Sequence, residues 1–178
     1  MVAWILPIFR QIKTKWIFFF LVLGLLDPFV DFSRLYLDWT GFWRYNLGSL
    51  LLYLSLYKVE GKKFKEIDYL LIIMLVSTMI MLQEGVYFLL IAHAIIFYKI
   101  FSYAVIELHH KDTLNFSLLV LVLYELSILT KFIAYLNGDH LSYVLFSITL
   151  FFEIAIALFF TIFRIDDARL MKYLKQRV

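Results

Sequence analysis

Six stretches of this chain are almost unbroken in apolar residues, and each is bounded by charges or turn residues. They cover about 16–36, 42–57, 67–82, 86–106, 116–136 and 141–163. A helix crosses a bilayer in roughly 17–25 residues at about 1.5 Å rise each. The last three stretches meet that length easily. The second and third are marginal, and span by borrowing flanking residues or thinning the bilayer locally. The pattern predicts an all-α polytopic integral membrane protein, a six-helix transmembrane bundle in a single domain over residues 1–178. Two connections read as tight turns, Gln83-Glu84-Gly85 and Asn137-Gly138-Asp139-His140, the second on its Asn-Gly step.

Basic residues sort with this count. Arg10, Lys13 and Lys15 precede span one, and Lys58, Lys62, Lys63 and Lys65 follow span two. Lys111 lies between spans four and five, and Arg164, Arg169, Lys172, Lys175 and Arg177 follow span six. Six crossings put all of these on one face. The other face receives Arg34 and Arg44 together with Asp27, Asp31, Asp38, Glu84 and Asp139. The positive-inside rule then places both termini in the cytoplasm, in a cytoplasmic or plasma membrane. No small-residue cleavage site follows the first apolar run before Asp27, so span one reads as an uncleaved anchor. In the tail, 164–178, the apolar residues Ile165, Ala168, Met171, Leu174 and Val178 recur at threes and a four. That spacing predicts a basic amphipathic helix lying on the anionic leaflet or on a partner helix.

Composition narrows the class. Hydrophobic residues make up 63% of the chain, against roughly 45–50% in soluble domains, so most of it is lipid-embedded. There are 19 Phe but 6 Gly and 2 Pro, which argues against close small-residue helix dimers and against transporters built on broken helices. Cysteine is absent, which excludes disulfides, thiol nucleophiles and thiolate metal ligands. Trp4, Trp16, Trp39 and Trp43, with Tyr57, Tyr69, Tyr87 and Tyr143, fall near span ends as an aromatic belt does. No connection is long enough for a soluble domain. The expected partners are the bilayer and either further copies of the chain or a membrane complex, with no nucleic acid and no cofactor.

Candidate chemistry concentrates at mid-depth. His93, Glu125 and Glu153 sit near the centres of spans four, five and six. An ionisable group there costs about 2.5–3.5 kcal/mol on insertion scales, so such groups face the bundle interior. Ser142, Thr149, Glu153 and Arg164 lie close to one line along span six, with Phe146 and Phe160 completing the stripe. An imidazole titrates near neutrality, and with two carboxyls it makes a proton- or cation-handling site or a seat for one divalent ion. The competing reading gives each residue a structural bond between helices, worth about 0.6 kcal/mol on average. No His-x-x-x-His spacing supports a catalytic zinc. Neighbouring His109 and His110 diverge by about 100° on a helix, and a haem would lack a second deep ligand. Lys99 and Lys131 are expected to snorkel to the headgroups, ahead of pairing Lys131 with Glu125 or Glu153, or Lys99 with Glu107.

A second cluster lies at the outer end of span one. Asp27, Asp31, Arg34 and Asp38 share a helical face and, with Arg44, outline an outer vestibule. The favoured alternative ends span one near Leu26 and leaves a solvated loop, because Asp-Pro often begins a turn. For function, the expectation is a non-enzymatic subunit, scaffold or sensor acting through a partner or by self-association. The first alternative is a small ion channel or proton-coupled transporter on His93, Glu125 and Glu153. The second is an intramembrane enzyme.

Overall fold

In lipid, the backbone of an isolated segment can satisfy its amides only within itself, and long apolar runs therefore become helices. The computed structural model describes residues 2–36, 43–61, 65–81, 85–138, 140–167 and 170–173. A 3-10 turn at Val2–Trp4 leads into α1 (Ile5–Gln11) and α2 (Ile17–Tyr36), followed by α3 (Trp43–Glu60) and α4 (Glu66–Met81). Then come α5 (Val86–Lys111), the short strand β1 (Thr113–Asn115), α6 (Phe116–Asn137), α7 (His140–Ile162) and β2 (Met171–Tyr173). The protein is mostly helical. Three segments, Val86–Lys111, Phe116–Asn137 and Tyr143–Ile162, are long and apolar enough to cross a membrane.

The other long helices fall short for identifiable reasons. Asp27, Asp31 and Arg34 interrupt the second half of α2. Arg44, Lys58 and Glu60 charge both ends of α3. With 16 residues, α4 is about 24 Å long against a hydrocarbon core of about 30 Å.

The helix ends have local causes. Asp112 adopts φ 48° and stops α5. The Asn115 side chain caps α6, accepting from the amides of Ser117 at 3.0 Å and Leu118 at 3.4 Å. Gly138, at φ 68°, ends α6 in the left-handed conformation the Asn-Gly step favours, with its amide on the Ala134 carbonyl.

Helix contacts close a ring. α1 packs on α2 and α7, α2 on α3, α3 on α5, α5 on α6, and α6 on α7. α4 lies outside, mainly against α3. The outward surface is apolar, with Ile73, Tyr98, Ile148 and Phe151 exposed, as a lipid-facing surface should be.

The N-terminal residues depart from the sequence reading. Trp4 and Trp16, read as belt residues that would face outward, are both buried in the ring. Tyr57 is likewise buried, whereas Tyr69, Tyr87 and Tyr143 are exposed as a belt requires. Trp4 is drawn inward because α1 doubles back along α2. A Cβ placed on Gly24 would meet the Trp4 carbonyl oxygen at 2.6 Å, so the two backbones touch there. α2 also does not end near Leu26. It continues through Pro28 to Tyr36, at the loss of the bond to the Gly24 carbonyl that a proline cannot make.

The tail is a further correction. Residues 171–173 are extended rather than helical, pairing antiparallel with β1 through Thr113↔Tyr173, Leu114↔Lys172 and Asn115↔Met171. Residues 168–169 and 174–178 lie outside the described set. Side chains take carbonyls at and just beyond the end of α7. Gln11 Nε2 donates to Phe160 O at 3.0 Å and Phe163 O at 2.8 Å, and its Oε1 accepts from the Ile165 amide at 3.1 Å. Asn115 Nδ2 donates to Ile165 O at 3.1 Å.

The contact at Gly24 yields a test. Gly24→Ala must displace backbone, whereas at Gly48 an added methyl group meets the flexible side chain of Leu26. Overpacking of the first kind costs roughly 1–3 kcal/mol. Gly24→Ala is expected to lower the melting temperature in detergent well below that of Gly48→Ala, measured side by side.

Candidate functional site

The ring is filled unevenly. Around the start of α2, the start of α6 and the ends of α5 and α7, its interior is a packed apolar plug. Phe19, Phe20, Ile96, Ile100, Leu118, Leu121 and Phe160 are all essentially inaccessible there. Phe20 meets Phe160 edge-on at 4.9 Å between centroids. At the opposite end the helices part around a cavity of about 440 Å³. Buried Trp4, Leu23 and Tyr124 are among its walls, and exposed Tyr45, Tyr135 and Phe146 stand at its mouth. Trp4 and Tyr124 lock edge-to-face at 4.7 Å.

Polar groups reach this cavity from four helices. Ser49 on α3, His93 on α5, Lys131 on α6 and Glu153 on α7 all line it. His93 Nε2 lies 3.0 Å from Ser49 Oγ, and Nδ1 lies 2.9 Å from Glu125 Oε2 on α6. The imidazole thus bridges a hydroxyl and a carboxylate, and its face rests against the Phe132 ring at 5.5 Å. Ser49 Oγ is also 3.0 Å from the Tyr45 carbonyl, one turn back on its own helix. Glu125 is completely buried, and its Oε1 has no hydrogen-bond partner among the described residues.

Lys131 Nζ donates to Glu153 Oε2 at 2.9 Å across the α6–α7 seam and stands 2.7 Å from Oε1 as an ion pair. Snorkelling was the expectation for Lys131, and pairing prevails. A carboxylate facing it across the seam supplies what the headgroup region would have offered. The ammonium also stands 4.9 Å from the Phe146 ring.

The expected trio is therefore placed together in part. His93 and Glu125 bond directly, while Glu153 lines the same cavity with its carboxylate held by Lys131. Of the span-six stripe, Thr149 is buried and returns its hydroxyl to the Phe146 carbonyl, and Arg164 pairs with Asp166 at 3.1 Å. The Ser142 side chain lies outside the described set. In the outer vestibule, Asp31 and Arg34 are exposed on α2. Asp38 and the side chains of Asp27 and Arg44 lie outside the described set. His109 and His110 are exposed at the end of α5.

Two features escaped the sequence reading. Ser49 is one, since a serine in an apolar run carries no signal until its partner is known. The other is a cluster that fastens α4 to the ring. Tyr53 donates to Asp68 Oδ1, Tyr53 and Tyr57 hydroxyls are 2.8 Å apart, and Lys99 Nζ reaches Tyr57 at 2.5 Å and Asp68 at 3.4 Å. Lys99 was expected to snorkel or to pair with Glu107. Glu107 is instead taken by Lys111 at 2.6 Å, one turn along the same helix. The i, i+4 spacing of Tyr53 and Tyr57 was the available clue.

Comparison with family models, with curated proteins and with solved structures finds no match.

Removing one member of a buried ion pair strands the other at a cost of about 3–5 kcal/mol, whereas replacing both is often neutral. Lys131→Met is accordingly expected to destabilise the fold strongly. The double variant Lys131→Met/Glu153→Leu should recover most of the loss, as read by thermal unfolding in nanodiscs.

Proposed function

We propose that the protein is a six-span integral membrane protein that binds a small amphiphile inside its helix ring. The carrying observation is the cavity, with packed apolar side chains beyond it. Its volume of about 440 Å³ falls within the roughly 300–1,000 Å³ range of small-molecule sites, and its mostly apolar walls carry a few convergent polar groups. The apolar plug beneath it favours a binding site over the channel alternative, because an ion path needs wetted groups along its whole length. The binding class also suits the earlier expectation of a subunit or sensor that passes a signal to a partner or to another copy.

Six crossings, with α2, α3 and α4 joining the three longer helices, are supported by how the basic residues gather. Lys15 bonds to Tyr103 near the end of α5, and Lys58 near the end of α3 sits over Phe18 near the start of α2, at 3.6 Å. Gln11 reaches the end of α7. One rim therefore carries the basic residues, and the positive-inside rule makes it cytoplasmic. The cavity mouth then faces the opposite compartment or the outer leaflet.

Two measurements test this. A reporter fused after Val178 should behave as cytoplasmic, and an extracytoplasmic signal would overturn the six-span count. A diazirine-bearing octanoyl glycerol ester, photolysed with the protein in nanodiscs, should attach to cavity residues such as Leu26, Phe132 and Leu150. Leu150→Trp, which narrows the cavity, should reduce that labelling. Adducts confined to lipid-facing Ile148 and Phe151, indifferent to Leu150→Trp, would overturn the binding reading.

A further inference from the structure

We propose that Ser49, His93 and Glu125 form an acyl-transfer site, and that the amphiphile bound in the cavity is an ester which this site hydrolyses. The inference rests on the binding reading above and replaces the expectation of a non-enzymatic protein.

The geometry is that of a nucleophile, its base and the group that orients the base. Ser49 Oγ is 3.0 Å from Nε2 of His93, and Glu125 Oε2 is 2.9 Å from Nδ1. Such a constellation is recognised by roles and distances, whatever the fold or the order along the chain. Three different helices supply the three residues, so no local helical preference produces the alignment. The two ring nitrogens are used oppositely. Nδ1 points to a fully buried carboxylate, and Nε2 points to a hydroxyl on the cavity wall. The carboxylate fixes the tautomer with hydrogen on Nδ1, which leaves Nε2 free to accept. Glu125 has no other hydrogen-bond partner among the described residues, so the imidazole is the one group that its carboxyl engages there.

The resting hydroxyl has two acceptors at equal distance, the Tyr45 carbonyl and Nε2, and attack proceeds from the second. Asn46, one turn before Ser49 on the same face of α3, is buried with both amide atoms unpartnered among the described residues.

Bond changes balance without any redox partner. Ser49 Oγ bonds to the ester carbonyl carbon while its proton passes to Nε2 and the carbonyl π pair moves to oxygen. That pair returns as the bond to the alkoxy oxygen breaks, and the leaving alcohol takes the proton from Nε2. Water then adds to the acyl-serine, giving a proton to Nε2, and Oγ leaves with that proton. Ester and water become carboxylic acid and alcohol. Glu125 accepts from Nδ1–H throughout and acts as a positioning residue.

The walls define the substrate class. Leu23, Leu52 and Leu89 offer apolar contact to an acyl chain. Lys131 is neutralised by Glu153, so the pair presents donors and acceptors without net charge. That chemistry fits a hydroxyl-bearing, uncharged alcohol portion better than an anionic headgroup.

An alkyl fluorophosphonate, which phosphonylates activated serines, tests the site in the full chain in nanodiscs. A single adduct on Ser49 is expected by peptide mapping, absent from heat-denatured protein. His93→Ala should slow its formation by about 10²–10⁴-fold, the usual contribution of a general base. Glu125→Gln should slow it too, and Glu125→Asp should restore part of the rate, which a merely structural link would not require. Release of octanoate from 1-octanoylglycerol should follow the same order and vanish in Ser49→Ala. Should Ser49→Ala fail to fold, Ser49→Cys keeps the side-chain volume in a chain without other cysteines. Its thiol should then alkylate with iodoacetamide faster when His93 is present. Photolabelling of the cavity with no adduct on Ser49 would overturn the acyl-transfer proposal and leave binding intact. An adduct that forms equally fast in His93→Ala would also overturn it. Absence of cavity photolabelling would remove both readings.

Discussion

A carboxylate surrounded by lipid has no water to bond with, and must find its partners within the protein. Glu125 and Glu153 impose that condition at the centre of this chain. Glu153 meets it through Lys131 and so ties α7 to α6. Glu125 meets it through His93 and ties α6 to α5, and the far side of the same imidazole reaches Ser49 on α3. These polar links join helices along one arc of the ring. They also set where the cavity lies, since side chains committed to one another across a space cannot fill it as packed leucine or phenylalanine would.

The other end of the ring solves a different problem. There the interior is aromatic and aliphatic, and the unsatisfied groups are backbone carbonyls at the end of α7. Gln11 and Asn115 take them. This is why the short α1 is part of the ring and not an appendage. Its last residue caps one helix while its first turns press against Gly24 of another. The cavity lies in the half that holds the polar links, and packed aromatic and aliphatic side chains fill the ring interior beyond it. α4 stands outside this scheme and is held through Asp68, which Tyr53, Lys99 and the Lys65 amide all engage.

Much of this was legible in the chain. The α2 to α7 bounds fall within a few residues of the apolar runs, except that α5 extends to Lys111. The failures share a cause. Snorkelling of Lys99 and Lys131, the outward-facing reading of Trp4, and the helical tail each rest on the residue and its own segment. Each was decided by a partner far along the chain: Asp68 for Lys99, Glu153 for Lys131, Tyr124 for Trp4, and Thr113–Asn115 for the tail.

By itself, the sequence determined that the chain is mostly helical, with segments long and apolar enough to cross a membrane, and that the ionisable residues within those segments turn inward. Burial cost and backbone satisfaction depend on composition and spacing along one segment, so they can be read without the fold. Tertiary structure alone decided which polar group meets which. It separated Glu153 from His93, gave the imidazole to Glu125, and brought the unremarkable Ser49 to the other ring nitrogen. A hydrogen bond is formed or lost within about an ångström. The rotation and tilt that place three helices to that tolerance are set by the packing of the whole ring.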